Sequence, residues 1–281
     1  MKNRFRMLSY PYIVWMAIFI IGPILLILFY SFTSGNVHDL GSMSFSIGSY
    51  KKLFNLMYLK VIAKSFYLAA VATALCFLLG YPVALIIVKA EARKRNLLML
   101  FFLVPIWMNF LLRTYAWMSI LSPNGFINRI LAFFGLPMLN IMPGQSAVVL
   151  GMVYNFLPFM VLPIYTVLSK IDKSVVEAAM DLGANNLATF IKVVFPLSIP
   201  GIITGITMVF MPAVSTFVIS RLLGGGKDLL IGNLIEQQFT VQRDWHFGSA
   251  LSIVLMVLIL LSMAVMSSVD KEEHQGGGGL F

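Results

Sequence analysis

Residues 173–201 read KSVVEAAMDLGANNLATFIKVVFPLSIPG and lie between two long apolar runs. Ser174-Val-Val-Glu177 has the spacing of a capping box, in which the Ser accepts from the N–H three residues on and the Glu reaches back. Ala178, Ala179, Met180 and Leu182 are good helix formers, so a short helix is predicted to start at Ser174. Gly183 is predicted to stop it at positive φ, which only glycine adopts at no steric cost. Asn185 or Asn186 then caps a second short helix over 187–194, and Pro196 suits the first turn of a third. The predicted object is a helix–turn–helix knob projecting from a membrane.

The composition outside the knob agrees with a membrane. The 281 residues are 59% hydrophobic and 11% charged, with a mean hydropathy of +0.91; soluble domains carry about 25% charged residues. The net charge of +9 is read as juxtamembrane Lys and Arg rather than a nucleic-acid surface. One cysteine, Cys76, excludes an intrachain disulfide. No long polar segment could fold by itself, so a single membrane domain over 1–281 is expected, all-α.

A spanning helix needs about 20 apolar residues. Six stretches qualify: 12–33, 65–89, 97–121, 147–169, 196–221 and 248–268. Lys2, Arg4 and Arg6 precede the first, but its apolar run is longer than a signal-peptide core, and an uncleaved span is expected. The short loop with Lys89, Arg93, Lys94 and Arg95 carries the densest positive charge and is assigned to the cytoplasm. Six spans then put both termini inside, with Lys271 near the second, and the cytoplasmic loop 173–195 beside them. The first outer loop is basic as well, through Lys51, Lys52, Lys60 and Lys64. Mixed with Tyr50, Leu53, Phe54, Leu56, Met57 and Val61, these predict a helix lying at the interface before span two.

The outer loop 122–146 carries Pro123-Asn124-Gly125, Gly135-Leu-Pro137 and Pro143-Gly144 and is expected to turn tightly. Gly224-Gly225-Gly226 precedes Lys227-Asp228, which is no phosphate loop; a flexible outer turn is expected. The glycines at 276–279 read as a low-complexity tail.

Proline interrupts five spans, at Pro23, Pro82, Pro105, Pro158 with Pro163, and Pro212, a pattern that suits a moving transporter. On a straight span three, Asn109 falls near mid-bilayer and Arg113 close enough to the outer interface to snorkel. Asn109 and Asn155, beside Trp107 and Tyr154, are the candidate translocation path; interhelical hydrogen bonding is the competing reading for the two amides. Trp117, Tyr115 and Trp245 suit an outer aromatic belt. No Asp or Glu falls within a span, which disfavours a proton- or ion-coupled carrier. His38, His246 and His274 are scattered without ligand spacing, so neither a catalytic nor a metal site is expected.

Glu177-Ala178-Ala179, then Gly183, Ile191 and Phe195-Pro196-Leu197, resemble the EAA loop of permease subunits of binding-protein-dependent ABC importers. LLGYP at 78–82, FLLRTYAW at 110–117, GGGKDLLIGNLI at 224–235 and QRDWHFGSA at 242–250 resemble the PotB-type permeases of spermidine/putrescine importers. The resemblance covers roughly 10–270 and implies a type I ABC importer permease fold in a bacterial inner membrane. It further implies a second, PotC-like permease, a pair of ATPase subunits and an extracytoplasmic substrate-binding protein. No cofactor is expected on this chain; ATP and Mg would sit on the partner ATPase. The resemblance makes Glu177, Ala178, Ala179 and Gly183 the coupling motif; Asp181, outside that motif, is a candidate contact from its place one turn after Glu177 on the same face. Two alternatives stay open: a permease of the same family for another small solute, and a stand-alone carrier or channel.

Overall fold

The computed structural model describes residues 11, 12, 14–37, 39, 41, 43–226 and 228–276, with side chains as far as Met266. Lys2, Arg4, Arg6, His38, Lys227 and the glycines 277–279 lie outside the described residues, as do the side chains of Lys271 and His274. Helices dominate. In chain order they are α1 (Val14–Ser31), α2 (Gly48–Leu53), α3 (Leu56–Lys89), α4 (Ala92–Trp107), α5 (Phe110–Leu121), α6 (Phe126–Phe133) and α7 (Gln145–Leu168). There follow α8 (Lys173–Asp181), α9 (Asn186–Ser215), α10 (Val218–Leu223), α11 (Ile231–Gln237) and α12 (Trp245–Gly276). Among the described residues, α1, α3, α7, α9 and the Trp245–Met266 part of α12 are each long and apolar enough to cross a membrane. The remaining apolar stretch passes the same test only as a bent pair, α4 with residues 110–133, which meet at 97° as a broken span or a re-entrant loop.

That bend corrects the straight span three. Met108 and Asn109 are extended (ψ 146° and 126°), so the helix ends at Trp107 and restarts at Phe110. Hydropathy counts apolar residues and is blind to such a break, and the depths assigned to Asn109 and Arg113 fall with the straight helix. Arg113 does not snorkel. It is 8% exposed, and its Nε and Nη1 are buried with no partner among the described residues. Buried donors left unsatisfied cost about 1–3 kcal/mol. Arg113→Met is therefore expected to raise the melting temperature of the detergent-solubilised protein, and a scanning-fluorimetry melt measures it.

Other boundaries also move. α3 starts at Leu56, so Lys60 and Lys64 lie on the spanning helix and only Gly48–Leu53 forms a separate helix in the first outer loop. The 122–146 loop holds the helix α6 as well as turns. Span five ends at Ser215, and α10 follows as a separate helix. Gly225 and Gly226 do form a turn, both at positive φ.

The chain divides into two compact units. The first comprises Met1–Ile62 and Ile231–Leu258. Its core is Leu53, Leu234, Phe247, Ala250 and Leu251. A short antiparallel pair, β1 (Thr33–Ser34) and β2 (Ser44–Phe45), runs in the register Thr33↔Phe45 and Ser34↔Ser44. His246 is a tie within this unit: its ring nitrogens lie 3.0 Å from the Tyr30 carbonyl and 3.1 Å from the Gly35 carbonyl. Asp244 opens α12 by accepting from the Phe247 N–H at 3.0 Å.

The second unit comprises Ala63–Leu230 and Ile259–Phe281. It is organised around α7 and α9, which lie against each other along stripes of small residues. Gly201, Gly205 and Ala213 recur at multiples of four on α9, and Ala72, Cys76, Gly80 and Ala84 do so on α3; most are fully buried. Lipid tails give helices no hydrophobic reason to associate, so close backbone approach through small residues supplies the contact energy instead. A Cβ at Gly205 would lie 2.8 Å from Met160 Sδ, and one at Gly201 3.0 Å from the Pro163 carbonyl oxygen. Tyr81 and Ser198 share a buried hydrogen bond of 2.9 Å. Lys64 pairs with Asp228 in the same unit.

Candidate functional site

The knob is built almost as its spacing suggested, with its caps relocated. α8 starts at Lys173, and its N-cap is Asp172, whose carboxylate accepts from the Ser174 N–H at 3.0 Å. Ser174 is thus inside the helix and the capping box with Glu177 is not formed. Asp caps as well as Ser, and its charge also favours the positive end of the helix dipole, so the earlier start wins. Glu177 is left exposed, with neither a hydrogen bond nor an ion pair among the described residues.

The hydrogen bond from the Ser174 backbone N–H, followed by the Ser174 side chain, holds the Asp172 carboxyl below its usual value of 3.8. A depressed carboxylate stabilises the fold above its unfolded-state pKa, and that contribution is lost as pH falls through the lower folded-state value. Protection of the Ser174 amide from hydrogen exchange should therefore hold at neutral pH and fade only below pH 3.8. In Asp172→Ala that protection should be absent at every pH.

The C-terminus of α8 is a Schellman turn. The Gly183 N–H donates to the Met180 carbonyl at 2.9 Å and the Ala184 N–H to the Ala179 carbonyl at 3.1 Å, the two bonds that define the motif. Gly183 has φ +87°, with nothing within 4 Å of the position a Cβ would take. Asn185 then caps the next helix through the Ala188 N–H at 2.8 Å. The separate second and third helices are not seen. A π turn at Phe190–Val194 carries α9 without a break from Asn186 into the span, and Pro196 falls inside that continuous helix.

The outer face of the knob is unusual for a polar loop. Leu182 is 90% and Leu187 67% exposed, and Val175, Met180 and Ile191 are also exposed. Ala178 and Asp181 are exposed and Ala179 is half-buried. Exposed apolar side chains grouped in this way suit a surface that meets another protein or the bilayer.

The candidate path residues part company. Trp107 is 86% exposed at the end of α4. Asn109 is the N-cap of α5, its Oδ1 accepting from the N–H groups of Leu111 at 2.8 Å and Leu112 at 3.3 Å. Tyr154 meets Trp117 edge-on with ring centroids 5.1 Å apart, an aromatic pair that hydropathy alone could not reveal. Asn155 is 2% exposed; its Nδ2 donates to the Gly151 carbonyl at 2.8 Å and its Oδ1 has no partner among the described residues.

Residues 76–272 match the family described as "Binding-protein-dependent transport system inner membrane component". The chain belongs to that family. Among curated relatives, the spermidine/putrescine transport system permease protein PotB of Escherichia coli (strain K12) is 41% identical over 253 residues, 89% of this chain and 92% of that one. The PotB permease of Haemophilus influenzae is 38% identical over 273 residues, 96% of each chain. Among solved structures, a bacterial alginate ABC transporter in complex with its alginate-bound periplasmic protein superposes with a TM-score of 0.80 at 15% identity, over 95% of this chain and 94% of that one. The MetNI methionine ABC transporter superposes with a TM-score of 0.60 at 16% identity, over 79% and 98%. The fold is thus that of type I importer permeases.

Proposed function

We propose that the chain is one permease subunit of an ATP-driven importer of spermidine and putrescine. The observation that carries the coupling role is the knob, a Schellman-locked helix–turn–helix between two spans whose outward face exposes Leu182 and Leu187. Residues 1–281 act as one permease with both termini and the knob on the cytoplasmic side, where ATP is. Glu177, Ala178, Ala179, Asp181 and Gly183 present the knob to a separate ATPase pair, which binds ATP and Mg. A second, PotC-like permease completes the path, and a binding protein outside delivers cargo. The polyamine cargo follows from the PotB relatives and their coverage of the chain. With no carboxylate in the spans, aromatic faces such as the Trp117–Tyr154 pair attract the cation.

Proteoliposomes holding the two permeases, the ATPase and the binding protein test this reading. Spermidine uptake that requires ATP and all four components is the expected result. Flux through this chain alone, without ATP, would support a stand-alone carrier and refute the importer.

A further inference from the structure

A cavity of about 880 Å³ lies behind the knob, in the second unit, lined by the end of α3, the start of α4, the end of α7, α8 and the start of α9. Its size is that of a ligand pocket. Ala92 opens α4 on the cavity wall. The N-cap of that helix, Glu91, makes no side-chain capping bond, and no acidic residue stands in the first turn. Arg93, Lys94 and Arg95 occupy that turn instead. Cations there oppose the helix dipole, so the start of α4 is a concentrated positive pole with backbone N–H groups left over.

The side chains on the wall are a second observation, independent of that pole. Lys89, Arg95 and Lys173 line the cavity without an ion pair among the described residues. These three cations outnumber the two carboxylates on the wall, Glu91, which pairs with Lys94 at 3.3 Å, and Glu177. The rest of the wall is apolar, with Val88, Leu168 and Phe190 among its residues. A free phosphate has no use for such a wall, whereas an acyl chain does.

We propose that this cavity binds the phosphate group of an anionic phospholipid of the cytoplasmic leaflet, held by the start of α4 with Lys89, Arg95 and Lys173. The leaflet rests on the orientation given under the proposed function; the site itself does not. A basic pocket between membrane helices is a recurrent headgroup site. Lipid here would brace the root of the knob and make its position depend on membrane charge.

Native mass spectrometry of the purified full chain in detergent, with phosphatidylglycerol or phosphatidylcholine added, tests it. Phosphatidylglycerol should be retained and phosphatidylcholine not. Lys89→Ala with Arg95→Ala should weaken retention roughly tenfold or more. Arg93→Ala with Lys170→Ala removes the same charge from positions off the cavity wall, leaves Lys94 on Glu91, and should not. Ala92→Asp puts a carboxylate at the start of α4, which stabilises that helix and should still expel the lipid, so its effect is not unfolding. Equal loss in the two double variants would overturn the proposal, as would displacement of the lipid by excess inorganic phosphate or by the ATPase subunit. The readout involves no transport, so absent spermidine uptake would bear on the importer reading alone.

Discussion

Gly183→Leu is expected to cut spermidine uptake by the reconstituted importer to about a tenth or less and to weaken co-purification of the ATPase. The cause is conformational. At φ +87°, and with no atom within 4 Å of a Cβ, a leucine meets no obstacle except its own backbone. Holding a non-glycine residue there costs about 1–3 kcal/mol, and each 1.4 kcal/mol is about tenfold in an equilibrium. The chain can relieve that cost by opening the Schellman turn, which releases the Met180 and Ala179 carbonyls and changes the angle between α8 and α9. Asparagine tolerates the left-handed region far better than leucine or valine. Gly183→Asn should therefore keep most of the uptake and Gly183→Val very little. Equal loss in all three would mean that the ATPase reads the surface of residue 183 rather than the turn.

Gly205→Leu is expected to cost more than any change on the knob, because it strikes the contact that orders the second unit. A Cβ there sits 2.8 Å from Met160 Sδ and 3.2 Å from the Met160 carbonyl oxygen. The first atom can swing away and the second cannot, so α7 and α9 must separate. Overpacking of this kind costs about 1–3 kcal/mol or more. The milder Gly205→Ala should lower the melting temperature, and Met160→Ala should recover part of the loss by removing the sulfur. A double-mutant cycle measures that recovery. Strict additivity of the two changes would show that the helices are not held at this distance.

What the residues disclosed in advance depended on whether a feature is local. Gly183 was legible because a left-handed turn leaves its mark on one residue, and α7 was legible because 24 consecutive residues are apolar enough. The cap was misplaced because Asp172 and Ser174 are both able caps, and only the helix start in three dimensions chooses between them. The break at Met108–Asn109 lies inside an apolar run, and Asn109 looked like a mid-membrane amide because a cap and a path residue share one side chain. The stripe of Gly201, Gly205 and Ala213 was open to reading as small residues at multiples of four, a pattern the apolar count passes over. The partnerless Nε and Nη1 of Arg113 were not readable, since burial of a guanidinium is a property of its neighbours. Glu177 gained interest once its capping partner was lost: an exposed carboxylate without a local duty is available to another chain.

The central claim is that the knob faces a motor on the cytoplasmic side. Cys76, the one cysteine, is fully buried, so Leu182→Cys introduces a single exposed thiol at a position that is 90% exposed. A membrane-impermeant maleimide should label that thiol in inverted vesicles and leave it untouched in intact cells, and bound ATPase should protect it. Labelling in intact cells would put the knob on the outer face, where no ATPase can reach it, and would contradict the account.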